Sequence, residues 1–101
     1  MAALTRQRCN PTDGIPNDLL VKYYSQRTGA GMILTEAAAW NQRGECFPGA
    51  ACLYNKEHAE GWKRVVDAVH QNGSKIFLQI FHGGRASLKA TNRGLQTFAP
   101  S

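Results

Sequence analysis

The sequence predicts an α/β domain built on a parallel sheet, and three observations carry that expectation. Two segments space their apolar residues as helices do. Each is closed by glycine, and each is followed by a short run that is apolar on both alternating faces. That last pattern belongs to strands covered on both sides, as in parallel sheets. The N-terminal "MAALT" reads as the tail of a further strand. The order is therefore strand, helix, strand, helix, strand, with right-handed crossovers.

The first helix is expected from Asn17 or Asp18 to Thr28, after Pro16, with polar capping residues at its start and Gly29 and Gly31 beyond its end. Leu19, Leu20, Tyr23 and Tyr24 give it a broad apolar face. The second begins after Asn55, which suits an N-cap, with Glu57 in the first turn where it complements the helix dipole. Ala59, Trp62, Val65, Val66 and Val69 fall on one stripe, and Asn72-Gly73 stops the helix with a residue free to turn left-handed. Gly61, inside that helix, costs about 1 kcal/mol relative to alanine and so marks a place of close packing. The predicted strands are "GMILTEA", Gly31 to Ala37, and "KIFLQIF", Lys75 to Phe81. Between Glu36 and Asn55 the sequence predicts a long irregular loop, a length usually kept for function or left disordered.

With 101 residues the chain holds one small domain, and its 43% apolar content suffices for a packed core. Lysine and arginine outnumber the acids 12 to 7, but they are scattered, so the charge reads as solvated surface and not as a nucleic-acid or membrane patch. No apolar stretch approaches the ~20 residues of a membrane helix. Cys9, Cys46 and Cys52 are odd in number and form no CxxC pair, and no signal-peptide pattern precedes them. Reduced thiols and a cytoplasmic location are expected. Their spacing from His58, His70 and His82 matches no compact zinc motif, so no metal is expected.

The strand "KIFLQIF" poses a specific chemical question. Its pleat puts Ile76, Leu78 and Ile80 on one face, suited to helix packing, and Phe77, Gln79 and Phe81 on the other. A buried amide without a partner costs roughly 1–3 kcal/mol, so Gln79 needs one. A side chain on a neighbouring strand and a bound ligand satisfy that need equally well. Gly83 and Gly84 follow at the C-terminal end of the strand, the end at which parallel α/β proteins place their chemistry.

Four blocks, "MAALTRQR", "YYSQRTGAGMILTEA", "EGWKRVVDAVHQNGSKIFLQIFHGGRAS" and "APS", resemble in order and spacing the Old Yellow Enzyme family of NADH:flavin oxidoreductases. The "LTRQR" and "YYSQRT" wording looks most like its 12-oxophytodienoate reductase branch. The resemblance implies the first three strands and two helices of a (β/α)8 barrel, residues 1–101 being a partial barrel domain. It implies FMN as cofactor and NAD(P)H as reductant, with hydride passed to the activated C=C bond of an enone. Carried over by position, Thr5 would contact the flavin near its reactive nitrogen, and Ala3 and Leu4 would lie under it on the same strand end. Ala37 would set its backbone against the ring system, and Gln79 would hydrogen-bond the pyrimidine edge. Phe81 would wall the substrate pocket.

The chain also departs from the family pattern. Ala3 stands where proline is usual, and "QIFH" replaces "QLWH", so Phe81 takes the place of a tryptophan. The loop after Glu36 keeps only part of the "EATxIS…G…PG" pattern. The family's carbonyl-binding pair, tyrosine proton donor and phosphate grip lie further along the chain, so no catalytic residue is assigned here, His82 included. Three strands cannot close a barrel. The chain is therefore expected to be a truncated fragment, inactive alone, with open sheet edges through which it self-associates or complements another chain.

Overall fold

Residues 1–100 are described by the structure, a computed structural model. Helix α1, Asp18–Ser25, begins where Asn17 accepts the Leu19 N–H on its side chain, and it gives way to turns before Thr28, sooner than the sequence suggested. Leu20 and Tyr24 are buried, whereas Leu19 is exposed and Tyr23 half-buried. Helix α2, Lys56–Gln71, begins where Asn55 caps the His58 N–H at 2.8 Å. It ends at Asn72, and Gly73 follows at φ 84°. Trp62, Val65 and Val69 are buried as the stripe requires, while Ala59 at its N-terminal end faces solvent. Gly61 meets its expectation: a Cβ there would lie 2.8 Å from the Pro16 carbonyl oxygen.

The sheet is parallel throughout, with Met32–Ala39 between Ala51–Cys52 on one side and Lys75–Phe81 on the other. Strand β1 is Met32–Ala39 and β3 is Lys75–Phe81, the latter with the bounds expected. Strand β2 is the pair Ala51–Cys52, inside the segment read from sequence as irregular loop. Two residues carry too little pattern to announce a strand, but pairing against Ala38 and Ala39 makes them one. A 3₁₀ turn at Gln42–Gly44 orders the same segment, capped by the Asn41 side chain.

The N-terminal "MAALT" is not a regular strand. Only Met1 bonds to β1 as a strand would, through its amino group to the Met32 carbonyl and its own carbonyl to the Leu34 N–H. Beyond it the next tie to β1 is a side-chain bond, from the Arg6 N–H to Glu36. The core lies between sheet and helices, where Ile33, Ala38 and Ala51 meet Leu20, Tyr24, Trp62, Val65, Val69 and Cys9. Trp62 adds a hydrogen bond from its indole nitrogen to the Cys52 carbonyl at 3.1 Å. The three cysteines are free thiols, all buried.

Candidate functional site

The two faces of the sheet are unequal. Ile33, Ile76 and Leu78 turn toward the helices, while Leu34 and Phe77 pair on the opposite face and stand open, Phe77 being 55% exposed. Gln79 belongs to that open face. Its side chain is exposed and makes no hydrogen bond among the described residues, so the buried amide expected from sequence is a solvent-facing one within this chain. The reason is that, among the described residues, no second layer of helix or sheet covers the face. Ile80, on the helix-facing side, is also 63% exposed: β3 is an edge strand, and Ile76 and Leu78 are its residues that pack against the core.

Ala37 is the register partner of Gln79, half-buried on the same face. They meet because β1 carries an extra residue. Leu34 pairs with Phe77 and Ala37 with Gln79, three steps on one strand against two on the other, with Thr35 and Glu36 in the bulge. The ladder is repaired by side chains. The Thr35 hydroxyl accepts the Gln79 N–H at 3.2 Å and donates to the Glu36 carbonyl at 2.7 Å. The Glu36 N–H in turn donates to the Tyr24 hydroxyl of α1 at 2.7 Å.

The Glu36 carboxylate is fully buried, with Oε1 3.3 Å from the Tyr24 hydroxyl and Oε2 accepting the Arg6 N–H at 3.2 Å. Burial raises its pKa, and the Arg6 N–H and the Tyr24 hydroxyl oppose that rise. Burial likewise pushes the Tyr24 phenol well above its ordinary range. Thr5 is therefore held one residue from a fixed amide. It is exposed, and Ala3 is half-buried. Leu4, 53% exposed, borders a cleft of about 520 Å³ with Met1, Arg6, Tyr23 and Arg27. Gln7 follows at φ 52°, packed against Gly49, where a Cβ would lie 2.9 Å from the Gln7 carbonyl oxygen.

At the C-terminal end of the strands Phe81 is half-buried, its carbonyl accepting the Trp40 N–H at 3.4 Å. The His82 ring packs against Trp40 at a tilt of 46° with centroids 5.5 Å apart, and its Nδ1 accepts the Gly84 N–H at 3.0 Å. Trp40, His82, Gly84, Phe98 and Pro100 line an apolar cavity of about 470 Å³, with the Arg43 guanidinium over the Phe98 ring. Arg93 bonds to Glu45 and to the Tyr54 hydroxyl, and reaches the Thr12 carbonyl at 3.0 Å, tying the rim to the N-terminal loop.

Tyr24, Thr35 and Glu36 drew no functional reading from the sequence. The sequence held no signal for them: regular alternation puts Glu36 on the same open face as Met32 and Leu34, where a carboxylate is ordinary.

A family model described as NADH:flavin oxidoreductase / NADH oxidase matches residues 1–101. The chain belongs to that family. Over an alignment 102 residues long that covers the whole chain, it is 40% identical to a probable flavin mononucleotide-dependent alkene reductase of Leishmania infantum, 28% of that protein being covered. It is 42% identical over 81 residues to 12-oxophytodienoate reductase 7 of Oryza sativa subsp. japonica, with 79% of this chain and 21% of that protein aligned. The structure of the old yellow enzyme homologue from Zymomonas mobilis superposes on the whole chain with a TM-score of 0.93 at 38% identity, 28% of that chain being covered. This member of the NADH:flavin oxidoreductase family thus spans about a quarter of the length of its relatives. Its parallel sheet and two helices correspond to part of their (β/α)8 barrel.

Proposed function

We propose that residues 1–101 are a partial barrel domain contributing the flavin-facing strands of an FMN-dependent NAD(P)H oxidoreductase acting on α,β-unsaturated carbonyl compounds. The observation that carries this reading is the pairing of Gln79 with Ala37 on the open face of the sheet. A strand-borne amide with no hydrogen-bond partner among the described residues, beside a residue no larger than alanine, suits a flat ring with polar atoms along one edge.

The chemistry supplied by bound FMN is hydride relay from NAD(P)H to the β-carbon of an activated C=C bond. The chain's own residues would bind and orient. Gln79 offers an amide donor to the pyrimidine edge, where fixed dipoles stabilise the negative charge gained on reduction. Ala37 lets the ring approach the backbone of β1. Thr5 would offer a hydroxyl to the flavin near its reactive nitrogen, and Ala3 and Leu4 would contribute their strand end beneath it. Phe81 gives an aromatic wall to the substrate side.

Titration of the purified chain with FMN, followed by flavin fluorescence and the visible absorption bands, tests the reading. Saturable quenching is expected, weakened about 3- to 10-fold in Gln79→Leu, the loss of one hydrogen bond. A folded chain that leaves FMN fluorescence unchanged, or a Gln79→Leu variant that binds like its parent, would overturn it.

A second reading has its own support in the open apolar face. Met32, Leu34 and Phe77 are exposed together beside the unpaired edge of β3. On that reading the chain is non-catalytic and associates with copies of itself or with a complementary barrel segment.

A further inference from the structure

We propose that the Thr35–Glu36 bulge, locked by Tyr24, is the positioning device of the candidate flavin face, setting Gln79, Ala37 and Thr5 relative to one another. The proposal rests on the flavin reading for its purpose, but its geometry stands independently. A bulge bends and re-aims its strand, and without repair it leaves backbone groups unpaired. Here two hydroxyls make the repair, and each repair fixes one side of the face.

On the β3 side, Thr35 Oγ1 takes the Gln79 N–H that a regular ladder would give to a carbonyl. Because the same hydroxyl donates to the Glu36 carbonyl, its orientation is set and its lone pair is directed at Gln79. In the middle, the extra residue puts Ala37 opposite Gln79; a regular strand would place Glu36 there and turn a carboxylate onto the open face. On the N-terminal side, the bulge sends the Glu36 carboxylate into the protein, where it accepts the Arg6 N–H directly after Thr5. Tyr24 then bonds both the N–H and the carboxylate of Glu36, so a helix residue governs the angle of the bulge. Thr35, Glu36 and Tyr24 are buried and need not touch the cofactor; they are positioning residues.

The experiment compares Thr35→Val, which keeps the shape and removes the hydroxyl, with Thr35→Ser, which keeps the hydroxyl. Hydrogen exchange at the Gln79 amide and FMN affinity are measured on each full chain. Thr35→Val should exchange the Gln79 amide about 3- to 10-fold faster and weaken FMN binding by a similar factor, and Thr35→Ser should restore both toward the parent. Equal Gln79 protection in the two variants, or an affinity loss that serine fails to restore, overturns the proposal. If the parent itself binds no FMN, the flavin reading falls, and the exchange comparison still decides the geometry. Should Thr35→Val not fold, the unaltered chain decides. Its Arg6 amide proton resonance should move as Glu36 is titrated, with Arg6, Tyr24 and Cys9 as the other ionisable groups around that carboxylate. An Arg6 resonance that ignores the titration overturns it.

Discussion

Glu36 shows how one residue carries both cost and use. A carboxylate with no exposed surface loses hydration, and the bonds from Arg6 and Tyr24 return only part of that loss, so its pKa stays above the ordinary 4.5. The sign of the linkage follows. A carboxyl whose folded pKa exceeds its unfolded value holds more proton in the native state at intermediate pH, so stability falls as pH rises between the two values. The cost is fully present above the raised pKa and is relieved as pH falls toward 4.5. Glu36→Gln removes this contribution. Urea midpoints measured at neutral pH and at pH near 4.5 should therefore shift toward the variant at neutral pH, the difference shrinking in acid. A difference that grows in acid would contradict the burial argument.

Elements are fixed where helices meet loops as much as where apolar stripes meet. Gly61 lies on α2 against Pro16, and a methyl there would come within 2.8 Å of the Pro16 carbonyl oxygen and 3.1 Å of Ile15 Cγ2. Helix propensity alone would make Gly61→Ala stabilising by about 1 kcal/mol. Backbone cannot yield as a flexible side chain does, and overpacking costs roughly 1–3 kcal/mol. A net loss is expected, lowering the thermal midpoint by several degrees, about 4–8 °C per kcal/mol for a chain of this size. A raised midpoint would show that the α2–Pro16 contact gives way. Close packing at Gly61 was legible in the sequence because a mid-helix glycine is an anomaly, though its partner Pro16 was not, and the caps at Asn17, Asn55 and Gly73 were legible because capping is local. The limits of β3 followed from its composition. The bulge was not legible: it exists only in the register between β1 and β3, and Leu34 through Ala37 read as plain alternation without a partner strand. For the same reason "MAALT" read as a strand although only Met1 bonds as one, and Ala51–Cys52 was hidden until pairing revealed it. Within the candidate site, the resemblance named Ala37 and Gln79, while the three residues that hold them were silent because their bonds across the fold span sequence separations of 12 to 44.

At the scale of the whole molecule, the sheet has one finished face and one open face. Helices cover Ile33 and Ala38 completely, yet Met32, Leu34 and Phe77 present large apolar side chains to water. Fully covering a side chain of that size is worth roughly 1.5–3 kcal/mol, so association over this face is favoured if geometry permits. The edge of β3 adds unpaired backbone groups that a second copy satisfies by strand addition. A second copy is also the one partner certain to be present in any purified sample. Sedimentation velocity over a range of concentrations should show a reversible monomer–dimer or higher equilibrium for the parent. Leu34→Lys with Phe77→Lys should shift it to monomer while leaving far-UV circular dichroism unchanged, since both side chains lie away from the core. FMN should compete with association, because Ala37 and Gln79 sit on the same face beside Leu34 and Phe77. A parent that sediments as monomer at every concentration would reject self-association, and an FMN-independent equilibrium would mean that the copies meet along the β3 edge and not across the proposed flavin face.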